Sequence, residues 1–115
     1  MKRILIPLWG DDIAPRFDLA PEALIAQLGE DNEVREQRII VLPQASPEGL
    51  CDLILRERID MVVCCAVEEE FYQYLTWKKV DVVDGVAGSA EEILARLQAG
   101  RLESGDILLN VEQSG

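Results

Sequence analysis

The stretch Asp60-Met61-Val62-Val63-Cys64-Cys65-Ala66 is a short, continuous apolar run. Such a run suits a parallel strand covered on both faces; a half-exposed strand would alternate. Helix signals stand on either side of it. Upstream, Ser46-Pro47-Glu48 supplies a hydroxyl cap, a proline for the first turn and an acid at the positive end of the helix dipole. Leu50, Leu53 and Ile54 then mark one apolar face, and the spacing predicts a helix to about residue 58, with Gly49 slightly weakening its first turn. Downstream, Val67, Phe71, Tyr74 and Leu75 recur at helical spacing over 67–78, and Glu68, Glu69 and Glu70 suit the first turn. Residues 80–83 are a further short strand and Asp84 to Gly88 a loop. Ser89-Ala90-Glu91-Glu92 is a capping box opening a last helix, which Gly100 is placed to stop. Strands alternating with helices predict a mainly parallel sheet with helices on its faces.

The N-terminal part adds antiparallel pairing. Residues 3–8 read as a buried strand with Pro7 near its end. A turn-rich stretch follows from Trp9 to Pro21, long for a connection in so small a domain. Residues 22–28 and 34–42, separated by Gly29-Glu30-Asp31-Asn32, are expected to form a hairpin. Right-handed crossovers then place the first strand beside the fourth, in the middle of a five-stranded mixed sheet. The 115 residues make one domain over 1–102. A tail, 103–115, contains a strand-like run, Asp106 to Val111, that offers an extra edge strand and a route to a homodimer. Ligands of such sheets sit beyond the carboxyl ends of strands. That crevice is expected between Leu8–Asp18, Cys65–Glu70 and Asp84–Gly88.

Charge and composition exclude several classes. Twenty-two acidic and eleven basic side chains give a net charge of −11, which repels nucleic acid and anionic membrane. Histidine is absent, so no imidazole base or imidazole metal ligand exists. No apolar run approaches the roughly 18 residues of a membrane span, and the start carries no cleavage site, so a cytoplasmic protein is expected. Three cysteines do not suggest a disulfide framework.

The candidate chemistry is sparse. Cys64 and Cys65 end the fourth strand, and successive strand side chains face opposite ways. Both read first as small buried hydrophobes. The functional alternative is a thiolate near the start of the next helix, with Cys65 the better placed, although three glutamates there oppose it. Cys51 reads as packing beside an apolar stripe. Asp11, Asp12, Asp18, Glu68, Glu69, Glu70 and Asp84 gather near the expected crevice as solvated loop and helix-start acids rather than a metal cage. Gly85-x-x-Gly88 before Ser89 reads as a tight turn into a capped helix, with an anion nest as the alternative. Trp9 and Trp77 read as core or rim packing. No nucleophile-plus-base pair is visible, so a non-enzymatic protein is expected.

Ile13-Ala14-Pro15-Arg16-Phe17-Asp18-Leu19-Ala20 resembles a motif of the dinitrogenase iron–molybdenum cofactor biosynthesis family, which includes the NifX-type carriers and the matching domain of NifB. Ile59-Asp60-Met61-Val62-Val63-Cys64 is similar to a later strand of that family, and the run from Val82 to Glu92 to its strand–loop–helix close. The likeness covers about residues 3–102. It implies a NifX-like, ribonuclease-H-like three-layer α/β/α fold without a nuclease site. It also implies non-enzymatic carriage of an iron–sulfur or molybdenum-containing sulfide cluster, or a precursor, in exchange with cluster-assembly proteins. Carried onto this sequence, Arg16, Phe17, Asp18, Gly85, Gly88 and Ser89 would contact the cluster, and Cys65 or Cys64 would ligate metal. The chain departs from the family at Arg16, where His is frequent, and at Ala66–Glu70, where a glycine-rich turn is frequent. The alternative function is an acidic adaptor that docks a basic partner and binds no metal.

Overall fold

The computed structural model describes residues 2–43 and 46–108. β1 (Lys2–Trp9) turns into the two-residue β2 (Asp12–Ile13), and a single 3-10 turn (Phe17–Leu19) follows. Then come β3 (Glu22–Leu28), β4 (Val34–Val41), α1 (Pro47–Arg56), β5 (Met61–Val63), α2 (Glu69–Trp77), β6 (Asp81–Val83), β7 (Ala87–Gly88), α3 (Ala90–Gln98) and β8 (Ile107–Leu108). The main sheet runs β4-β3-β1-β5-β6, with β2 an extra short strand on β1. β4, β3 and β1 are antiparallel; β1, β5 and β6 are parallel. The expected hairpin, the alternating helices and the first strand beside the fourth are all present.

Both helix caps are as the sequence dictates. Ser46 Oγ accepts from the Gly49 amide at 3.0 Å, and Ser89 Oγ from the Glu92 amide at 3.1 Å. The sheet separates two apolar clusters. On one face Leu5, Phe17 and Val62 pack with Leu50, Leu53 and Ile54 of α1 and Leu75 of α2. On the other, Ile4, Ile6 and Val63 pack with Ile93, Leu94 and Leu97 of α3, and with Val86 and Leu108. β5 is covered on both sides, as its unbroken apolar sequence requires.

Three features depart from the sequence reading. The turn-rich stretch begins with a tight hairpin, Trp9 opposite Asp12, with Gly10 at φ 67°. Glycine at the first position of a two-residue loop is what such a turn favours. Second, β5 stops at Val63, so both cysteines lie just past the strand. Third, Ile107–Leu108 pairs in parallel with Ala87–Gly88, apart from the main sheet. The rest of the strand-like run, 109–111, lies outside the described residues. Gly88, at φ 145°, is needed for this pairing, because a Cβ there would stand 2.7 Å from Leu108.

Candidate functional site

The three segments expected to form the crevice do meet, and backbone hydrogen bonds hold them. The Ala14 amide donates to the Pro7 carbonyl at 2.8 Å. The Phe17 amide donates to the Ala66 carbonyl at 2.8 Å, and the Ala66 amide to the Pro15 carbonyl at 3.0 Å. Arg16 thus lies alongside Ala66 as a parallel bridge that prolongs the sheet past β5. The third segment is tied in by the Gly85 amide donating to Cys65 at 2.8 Å and the Val86 amide to Cys64 at 3.1 Å.

This framework sends the two adjacent thiols to opposite faces. Cys64 is 1% exposed and packs in the cluster under α1 and α2. Burial raises its thiol from 9.0 to about 12, with the Asp84 and Cys65 charges adding to the effect. Cys51 is buried in the same cluster; burial and then Glu48 push it to about 11. Both stay protonated at neutral pH. Cys65 is half-buried on the α3 side and lines a groove of about 440 Å³ with Asp12, Pro15, Gly88, Ser89 and Glu92. Cys65 is the most exposed of the three cysteines; Cys51, 7% exposed, borders a second groove of about 440 Å³ between α1 and α2, and Cys64 is buried on the face opposite Cys65.

The other expected contacts divide. Arg16 lines a separate hollow of about 180 Å³ with Trp9, Ala14, Pro15 and Leu19, and Pro15 borders both this hollow and the Cys65 groove. Arg16 grips Asp18 through two hydrogen bonds, Nε–Oδ1 at 3.1 Å and Nη2–Oδ2 at 2.8 Å. The Arg16 side chain is 56% exposed, so that pair is weak and free to exchange for another anion. Phe17 is not a ligand contact: it is 2% exposed and packs against Phe71, with ring centroids 6.1 Å apart. Its role is to anchor the loop to α2. Three amides of the anion nest are already engaged: those of Gly85, Val86 and Ala87 donate to the Cys65, Cys64 and Asp106 carbonyls, and the Ala90 amide beyond it donates to Asp11. Gly88 serves the close approach of β8, and Ser89 caps α3.

Among the described residues no three Cys, Asp or Glu side chains converge closely enough to hold a metal ion, and no charged residue is buried. The acids expected near the crevice do not form a cage. Trp9 and Trp77 are 61% and 73% exposed, so neither is core packing; Trp9 borders the Arg16 hollow, and Lys78 lies 4.7 Å over the Trp77 ring. Sequence reading missed the bridge between Arg16 and Ala66.

No family model and no curated protein matches the chain. Solved structures do. PH0822 superposes with a TM-score of 0.79 at 18% identity, over 89% of this chain and 95% of that one. MJ0327 from Methanocaldococcus jannaschii, described as a "putative dinitrogenase", gives 0.72 at 21% identity, over 88% of this chain and 91% of that one. TM1290 from Thermotoga, described as a "putative NifB protein" of the DUF35 family, gives 0.71 at 19% identity over 90% and 93%. At these identities the likeness is one of fold. Two of these three structures, MJ0327 and TM1290, carry the words dinitrogenase and NifB in their descriptions; PH0822 carries neither. No described helix is long and apolar enough to cross a membrane.

Proposed function

We propose that the chain belongs to the dinitrogenase iron–molybdenum cofactor biosynthesis family, with the ribonuclease-H-like layering that family membership implies. It acts without catalysis, carrying a metal–sulfur cluster or a precursor of one as cargo. The observation that supports this reading best is the placing of Cys65. It is the most exposed of the three thiols, and the groove it lines opens where all three crevice segments meet.

The chemistry follows from what is there. A thiolate is a soft ligand suited to iron, copper or a sulfide cluster. With Cys65 as the exposed thiol and no converging carboxylates among the described residues, the cargo keeps its remaining ligands as its own sulfides or takes them from an assembly partner. Such a grip is weak and suits transfer. Arg16 lines the neighbouring hollow and reaches an anionic cargo only by releasing Asp18. Screening over about 8 Å at physiological salt lets that local cation act against the overall charge.

The test is anaerobic incubation with iron, sulfide and thiomolybdate, then desalting, metal analysis and a visible spectrum. Metal with sulfide-to-metal absorption is expected in the wild type and in Cys64→Ser, strongly reduced in Arg16→Ala, and lost in Cys65→Ser. A colourless, metal-free wild type would leave the acidic interaction module.

A further inference from the structure

The two edges of the main sheet are built differently. β6 is three residues long and carries an exposed Asp81. β4 is eight residues long, and no described strand pairs with its outer side. Short strands, prolines, charged side chains and β-bulges are the usual guards of an edge. β4 is long and has no proline; its charges, Arg35, Glu36 and Arg38, are of mixed sign, and its one bulge lies near its start, at Arg35. Ile39 and Val41 are 57% and 67% exposed.

We propose that β4 pairs antiparallel with β4 of a second copy, across a two-fold axis at Gln37. A two-fold edge pairing has an opposite-facing partner for each residue, and like charges directly opposite destabilise it. Centring on Gln37 sets Glu36 against the partner's Arg38 and Arg38 against the partner's Glu36. Centring one residue earlier faces Glu36 with its own copy, and one residue later does the same for Arg38.

Local structure favours this register. Arg38 lies on the α1 side, where it is already bonded to Glu57. The partner's Glu36 joins that pair, and one guanidinium then serves two carboxylates. The extra residue of the β3–β4 bulge is Arg35, which sits between the Leu28–Val34 and Gln27–Glu36 pairs. Regular pairing therefore runs through Glu36–Arg38, with the aliphatic stem of the partner's Arg35 over exposed Ile39. Ile39 also borders a groove of about 710 Å³ between α3 and the β3–β4 end of the sheet, floored by Leu8 and Leu24. A second sheet continuing beyond β4 walls that groove. Charge agrees as well. β4 holds two arginines and one glutamate, a local balance of +1 in a chain of −11, so two copies meet there with least repulsion. None of this involves the cluster, Cys65 or the C-terminal tail.

The experiment is the solution mass of the full chain by light scattering, for wild type, Glu36→Arg, Arg38→Glu and an equimolar mixture of the two variants. Wild type is expected at twice the chain mass and each variant alone at the single-chain mass. The mixture is expected to return to twice. One chain then presents arginine at both positions and the other glutamate at both, so every cross-strand contact joins opposite charges. The double variant Glu36→Arg/Arg38→Glu restores the same complementarity within one chain, and circular dichroism checks that each variant folds. A wild type at single-chain mass overturns the proposal. So do folded single variants that remain at twice the mass, or a mixture and a double variant that both stay at the single-chain mass.

Discussion

The two faces of the sheet carry adjacent residues of one sequence into opposite conditions. Under α1 and α2 the face is largely sealed: Phe17, Leu50, Ile54 and Leu75 close over it, Cys64 is buried among them, and Cys51, 7% exposed, borders a groove between the two helices. Under α3 a single helix and the short β7–β8 pair leave a groove, and Cys65 lines it. The same residue type is therefore inert filling on one face and an accessible sulfur on the other. The difference lies in the count of covering elements, not in the thiol itself.

The sharpest way to break that contrast is to open the sealed face. Phe17→Ala removes a buried ring and the loop's anchor on Phe71, and is expected to cost about 3–5 kcal/mol in urea unfolding. Its effect should reach the groove as well, since Phe17 holds the strap that hydrogen-bonds to Ala66. A destabilisation below about 1 kcal/mol would mean that Phe17 is not the anchor.

Alkaline titration sharpens the comparison next. Cys64 is raised to about 12 and Cys51 to about 11, from 9.0. A group raised in the folded state gives its full stabilisation below its unfolded value. Stability should therefore be complete below about pH 9 and fall as pH rises toward 11 and 12, by up to about 1.4 kcal/mol per pH unit for each thiol. Cys64→Ala should flatten the curve of unfolding free energy against pH in that window. An unchanged slope would place the Cys64 thiol in contact with water.

The smallest effect on stability belongs to Cys65→Ser, expected within about 0.5 kcal/mol of wild type. Its effect on reactivity should be large. With a chromogenic disulfide reagent at neutral pH, the native chain should show one fast thiol, absent in Cys65→Ser and retained in Cys64→Ser. Two fast thiols in the native chain would contradict the division between faces.

The same contrast explains what could be read in advance. The apolar run 60–66, the capping serines and the alternating strand pairs are local patterns, and they led directly to sheet order and helix placement. That Cys64 and Cys65 face opposite ways also follows from chain geometry alone. Which face stays open does not, because it depends on how α3 and β8 cover the sheet. Phe17 illustrates the limit. Its neighbours in sequence look like a binding loop, while its burial is decided by Phe71, which lies on a different element. Three amides of the Gly85–Ser89 nest, those of Gly85, Val86 and Ala87, are a similar case. They are spent on carbonyls of residues 64, 65 and 106, and no local spacing records those bonds.

The mixed sheet also sets an order of assembly. β3 and β4 are joined by a short turn, and β1 reaches β3 within the first 28 residues. β1 meets β5 only after a chain segment of more than fifty residues has closed, as the Leu5–Val62 pairing requires. Local pairings form before distant ones because less chain entropy is lost in closing them. The antiparallel half is thus expected to form first, and the parallel half, which leads into Cys64 and Cys65, to dock on it late. Substitutions in β3 should slow folding, and those in β5 and β6 should chiefly speed unfolding. The groove lined by Cys65 would then be among the last parts of the molecule to form and the first to be lost.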